Sequence, residues 1–437
     1  MSTAVAKKSL KDCIRHFTPA WFAAIMGTGS ISILFNNSPY ARDSPVVEAL
    51  VYIFFFLNLV LFVIFNALTI ARYIMFPDIW SMMIHHPIQS LFVGAYPMGL
   101  STLLNIAVGF LYQRKGFGGQ GFLYAMWGVW WFDVALSVAC AFELVHIMKT
   151  RHEHSLSRMT ANWLLPVVTL IVISSTGGVL AEPLAALSPS HALLTLTVSL
   201  VLVSMGLGLA MMILTMYLLR LIVHGVPPSS SVLSVFIPLG PMGQGGYSIL
   251  LLGQGFRAVL PLNYGASHVL REAHVADTIA TLSLVVALVL WSLATMWMIY
   301  ALLAVVEVLQ QTRFPFKQAF WGLIFPNVSR LSLLPGVHCG RRRASNSHPP
   351  RVLPSVPFTP FEPAPRARVR ELGVYVCGST MTARANDACR NPPKNRACTR
   401  ISRSSSTGPS TRASSACGAR RTRSRRSRSG RRSSCAP

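Results

Sequence analysis

The residue types that usually carry catalysis are present but not in catalytic patterns. There is no Walker lysine motif. The stretch Gly240-Pro241-Met242-Gly243-Gln244-Gly245-Gly246 is glycine-rich yet lacks the Lys-Ser/Thr ending and a preceding strand. It reads better as a helix break or a close-packing site. Neither H-E-x-x-H nor G-x-S-x-G occurs. His152-Glu153-His154 lies in a short basic loop and reads as a solvated turn rather than a metal site. None of the eight cysteines forms a C-x-x-C pair, so zinc and disulfide frameworks are both disfavoured. The expectation is no enzyme, no cofactor and no metal. What remains is Asp133, alone in the apolar run WWFDVALS, and a set of regularly spaced prolines. A carboxylate at such depth is costly and faces a bundle interior or a cavity.

The elements that must position these residues are long apolar runs. Hydrophobic residues make up 52% of the 437-residue chain and charged ones only 12%, against roughly 25% charged in soluble domains. A lipid bilayer is therefore the expected solvent. Eight stretches are long enough to span it, at roughly 17–35, 46–76, 88–112, 122–148, 160–181, 191–223, 232–256 and 275–309. A ninth begins near Gln318 and stops early, with Arg330 where the apolar run should continue. The net charge of +25 belongs mostly to residues 329–437, which hold 23 Lys+Arg and 3 Asp+Glu. That segment is rich in Arg, Ser, Pro and Thr, and it is expected to be disordered, since it cannot bury enough apolar surface to fold. The divisions expected are thus a cytosolic segment 1–16, a membrane domain 17–328 and the tail 329–437.

The odd-numbered spans each carry a proline: Pro19, Pro97, Pro166, Pro238 and Pro326. Small residues cluster beside them, including Gly27-Thr28-Gly29, Gly99 and Gly240, while the even spans have no interior proline. This is a weak repeat of helical hairpins, each a kinked helix followed by a straight one. A proline frees a carbonyl that lipid cannot satisfy, so kinked helices belong against protein or a wet cavity. The fold expected is all-α: five proline-kinked helices in a quasi-fivefold ring around a central pore, with straight helices outside. No Lys or Arg is mid-span in this reading, so an anion would meet only hydroxyls, backbone N–H groups and helix dipoles. Such a path gains nothing from a fixed negative charge, which favours a structural carboxylate at Asp133 over a proton or coupling site.

Loop charges set the orientation. With the N-terminus cytosolic, that side holds Lys7, Lys8, Lys11, Arg15, Arg72, Lys149, Arg151, Arg158, Arg220, Arg313 and Lys317. The other side holds only Arg42, Arg114, Lys115, Arg257 and Arg271, and positive residues favour the cytosol. Asn36-Asn37-Ser38 then lies outside as a candidate glycan acceptor, unless its closeness to the span prevents modification.

Several long runs carry a family resemblance. They include HFTPAWFAAIMGTGSISILF, QSLFVGAYPMGLSTLLNI, WWFDVALSVACAFELVHIM, TRHEHSLSRMTANWLLPVVTLIV and SVFIPLGPMGQGGYSILLLGQ. They resemble the fungal sulfite efflux pumps of the tellurite-resistance and dicarboxylate transporter family, which includes plant guard-cell anion channels, over residues 15–328. The resemblance implies ten spans in five hairpins, a pore lined by the odd helices, homotrimers, and export of sulfite or bisulfite at the plasma membrane. It also implies a phenylalanine gate on the ninth span. The family's aromatic pair followed by Phe-Pro falls here on Phe320-Trp321 and Phe325-Pro326, making Phe325 the gate candidate; without the resemblance it reads as a core aromatic.

After Asn327 the chain departs from that pattern, and nothing beyond Pro335 is long or apolar enough to span. One reading of residues 329–437 is a frameshift or an unspliced intron in the gene model. The alternatives to sulfite export are a dicarboxylate permease for malate, an inactive membrane remnant, and a tail that binds RNA or anionic lipid. A solvated tail without a nucleic-acid partner is the simpler expectation.

Overall fold

The computed structural model describes residues 9–38, 44–229, 231–262, 267–311 and 318–331. The expected disorder of the tail falls on residues outside these. The α-helices are α1 Leu10–Arg15, α2 Phe22–Asn37, α3 Pro45–Met75, α4 Asp78–His85, α5 Ala95–Ile106, α6 Gly119–Ala139, α7 Val145–Arg151, α8 Leu165–Leu187, α9 Pro189–His224, α10 Leu239–Val259 and α11 Ala273–Gln311. A last helix, α12, covers residues 324–331. A π-helical turn at Ala107–Tyr112 extends α5, and another at Cys140–Leu144 joins α6 to α7 as one rod.

Among the described residues, seven helical rods are long and apolar enough to cross a bilayer. The first expected span, α2, has 16 residues and is shorter than these. Burial separates the rods into two layers. In their most apolar stretches Ala161–Leu187 is 94% buried, and Ser90–Tyr112 and Val232–Val259 are each 72% buried. The corresponding figures are 17% for Pro45–Met75, 39% for Gly119–Arg151, 33% for Pro189–His224 and 17% for His274–Gln310. Outer helices therefore carry the apolar surface that needs lipid, such as Val63 on α3, Phe132 on α6, Ile222 on α9 and Leu303 on α11.

The inner layer closes through missing side chains. Helix α2 packs on α5, α5 on α8, and α8 on α10. A Cβ on Gly94 would lie 2.9 Å from the Leu165 carbonyl oxygen, and one on Gly178 would lie 2.9 Å from Leu251 Cβ. On α10, a Cβ at Gly243 would lie 2.9 Å from the Arg330 backbone nitrogen. Gly27 of α2 faces the Trp321 carbonyl and Ile324. Small residues let membrane helices approach backbone to backbone, where dispersion replaces the absent hydrophobic drive. The ring is thus α2, α5, α8, α10 and α12.

Three expectations change here. The prolines do not kink the inner helices at mid-span. Pro19 opens a 3-10 turn before α2, Pro166 lies in the first two residues of α8, and Pro238 is the N-cap of α10. Pro97 and Pro326 lie in the first turns of α5 and α12. Each junction follows or contains a 3-10 turn, at Pro19–Trp21, Ser90–Gly94, Ala161–Leu164, Val232–Phe236 and Gln318–Leu323. In a first turn the N–H has no intrahelical acceptor, so proline costs nothing and presets φ. The interior irregularities are elsewhere, at Pro183 within α8 and at the two π-helical turns.

Second, α12 runs across the expected boundary at residue 328. Arg330 donates from Nη2 to Thr295 Oγ1 at 3.1 Å, and its guanidinium lies over the Trp291 ring at 5.3 Å. A cation is therefore held against the middle of α11 after all, facing that helix. Third, Asn36 is 8% exposed and accepts from Arg114 Nη1 at 3.2 Å. An amide so enclosed and bonded is unavailable to a glycan.

Candidate functional site

The inner helices enclose a small cavity. It is lined by Ser30 and Ile33 of α2, Thr102 and Asn105 of α5, Val172 of α8, Gln244 and Tyr247 of α10, and Phe325, Val328 and Ser329 of α12. All five inner helices contribute. The space open to the centre of a water-sized sphere is about 20 Å³, close to the minimum that holds a single water. Phe325, which is buried, is part of this lining.

The lining follows helical spacing. Thr102 and Asn105, Gln244 and Tyr247, and Phe325 with Val328 and Ser329 are pairs at i, i+3 or i+4, so each set shares one face. Internal bonds hold these faces in place. Gln244 Nε2 donates to Ser175 Oγ at 2.7 Å, tying α10 to α8. Asn37 Nδ2 donates to Tyr247 OH at 3.0 Å, tying α2 to α10. Asn58 Nδ2 of α3 donates to Thr102 Oγ1 at 3.3 Å, tying an outer helix to α5. Ser174 Oγ lies 2.7 Å from Ser248 Oγ and also donates to the Ser199 carbonyl at 2.7 Å. Every one of these joins two helices, which fixes the width of the path.

Of the residues singled out from sequence, Phe325 alone lines the cavity. Gly27, Gly29, Gly99 and Gly240 lie at helix contacts: Gly29 against Thr102, Gly99 against Ile25, and Gly240 with Pro326 Cγ at 3.9 Å. Thr28 is buried and donates to the Ala24 carbonyl at 2.8 Å within its own helix. Pro19, Pro97, Pro166, Pro238 and Pro326 mark helix starts and do not touch the cavity. The polar lining, Ser30, Thr102, Asn105, Gln244, Tyr247 and Ser329, was missed.

Asp133 is fully buried between α6 and α5, away from the cavity. Its Oδ2 accepts from Ser101 Oγ at 2.7 Å, while Oδ1 has no partner. Close by, Thr169 Oγ1 of α8 donates to the Ser137 carbonyl of α6 at 3.1 Å. The carboxylate therefore belongs to a polar seam between the outer rod and the ring.

Five inner helices thus surround a small cavity with Phe325 in its lining. The family model described as voltage-dependent anion channel matches residues 16–331. The chain belongs to the voltage-dependent anion channel family. It is 34% identical to a protein named sulfite efflux pump from Arthroderma benhamiae, over 72% of this chain and 79% of that protein. It is 33% identical to the sulfite efflux pump of Trichophyton rubrum, with the same coverage of both chains. A malic acid transport protein of Schizosaccharomyces pombe is 22% identical over 73% of this chain and 70% of its own. Membership in this voltage-dependent anion channel family makes the chain a multi-pass transporter of anions, and its matched segment ends where α12 does.

Proposed function

We propose that this chain exports sulfite or bisulfite across a fungal plasma membrane, with its N-terminus in the cytosol, as a homotrimer in which each protomer has its own path. The observation that carries the reading is a cavity to which all five inner helices contribute, with Phe325 in its lining. Because the helices alternate in direction, the inner ones all start on the side of the N-terminus. Their positive ends then face the cytosol and draw small anions toward the path. No Lys or Arg lines the cavity, so binding is weak and release is fast. Phe325 is the gate: an apolar ring across a one-water constriction excludes a hydrated anion until it swings aside.

Sulfite is preferred to malate because the relatives named for sulfite export are the more similar, at 34% against 22% identity. The test is flux into proteoliposomes holding the purified full chain. Sulfite should pass and malate should not, and Phe325→Ala should raise sulfite flux severalfold. Malate flux without sulfite flux would reverse the substrate. An unchanged rate in Phe325→Ala would remove the gate.

A further inference from the structure

Six polar side chains line the cavity, and five of them are already engaged. Ser30 Oγ donates to the Met26 carbonyl at 2.6 Å, Thr102 Oγ1 to the Gly99 carbonyl at 2.7 Å, and Ser329 Oγ to the Phe325 carbonyl at 2.9 Å. Gln244 and Tyr247 are held by Ser175 and Asn37. The Ser30, Thr102, Ser329 and Gln244 protons stabilise helices and helix contacts, and the Tyr247 hydroxyl accepts from Asn37 Nδ2. Asn105 differs. It is 9% exposed, it lines the cavity beside Phe325, and its Oδ1 is buried with no donor. A buried amide oxygen left without a donor costs roughly 1–3 kcal/mol, which a fold tolerates where a ligand supplies the bond. Asn105 also sits two residues before the π-helical stretch Ala107–Tyr112, and such widened turns recur at functional sites.

A carboxamide presents an acceptor oxygen and a two-proton donor side by side. Its complement is a small group with an oxygen acceptor next to a hydroxyl donor. A singly protonated oxyanion has both. A fully deprotonated dianion has acceptors only, and nitrate likewise cannot donate. We infer that Asn105 is a specificity residue of the path and that it selects the protonated monoanion, bisulfite over sulfite, through paired donor and acceptor contacts. This rests on the sulfite reading above and narrows its substrate. Exclusion of the dianion fits the rest of the lining, which offers no cation to offset a second negative charge.

The experiment compares wild type with Asn105→Leu and Asn105→Ala in proteoliposomes, with nitrate as the second anion. Sulfite-species flux at fixed total concentration should rise in the wild type as pH falls and the monoanion comes to dominate. Both variants should lose about tenfold of that flux, the size of one lost hydrogen-bonding contact, and their pH dependence should flatten. Nitrate flux should change less than about twofold by the same criterion, which also reads out that the path is folded and open. If both anions fall together, or if neither falls, the assignment to Asn105 is wrong while the sulfite reading stands. If the wild type carries nitrate but no sulfite species at any pH, the sulfite reading fails first and takes this inference with it.

Discussion

Gly29 is one of the tightest points of the ring. A Cβ built there meets Thr102 Oγ1, and lies 2.6 Å from both Thr102 Cβ and Asn58 Nδ2. Ordinary contact starts at 3.4 Å, so Gly29→Ala must push α2 and α5 apart by about 0.8 Å and displace the Asn58 amide. Overpacking of this kind costs roughly 1–3 kcal/mol. Loss of the 3.3 Å Asn58–Thr102 bond adds about 0.5–1.5 kcal/mol. Against these, alanine is the better helix former by about 1 kcal/mol. The clash wins, and the net loss is about 1–3 kcal/mol on the same principles. Because Thr102 lines the cavity, anion flux should fall as well. The assay is thermal unfolding in detergent together with flux in proteoliposomes. Adding Thr102→Gly should recover part of the stability, since it moves the missing bulk to the facing helix. A Gly29→Ala variant as stable as the parent would refute the claim that close backbone approach sets the ring.

Ser101→Ala should cost about 1–3 kcal/mol, the range for a buried polar group left unsatisfied, because it strips Asp133 of its hydrogen-bond donor. A lower melting temperature with an unchanged pH profile of flux would mark Asp133 as structural; an altered profile at unchanged stability would make it part of transport. Pro166→Ala should lose less than about 1 kcal/mol and leave flux unchanged, because the residue lies where no N–H is used; a loss near 3 kcal/mol would restore the kinked-helix picture. In the connector after α7, burial holds the His152 imidazole below its ordinary range, helped by His154, His85 and His86 and opposed by the Ile84 carbonyl bond. A lowered folded value means that its contribution is complete above the ordinary histidine range and is lost as pH falls below it. Protection factors for hydrogen exchange, corrected for the intrinsic pH dependence, should therefore fall at residues 84–90 and 152–158 on acidification in the wild type but not in His152→Leu.

The membrane class was legible because twenty apolar residues in a row have few other uses. Span limits came out within a few residues for the seven long rods, since polar loops bound them sharply. The alternation of proline and small residues located the inner helices, although for a different reason than expected: the prolines start helices, and glycines such as Gly178 and Gly243 bring them together. Phe325 was reached only through likeness to a family. The polar lining was not legible, because Ser30, Asn105 and Tyr247 are separated by long stretches of chain and share a cavity only when five helices close.

Sequence by itself determined the solvent of this protein and which helices hide from it, because burial in a bilayer is a property of each segment's own composition. Tertiary structure alone decided which polar groups are spent on neighbours and which, like Asn105 Oδ1, are left without a partner at the axis. That difference depends on distances between helices, and no single stretch of residues contains it.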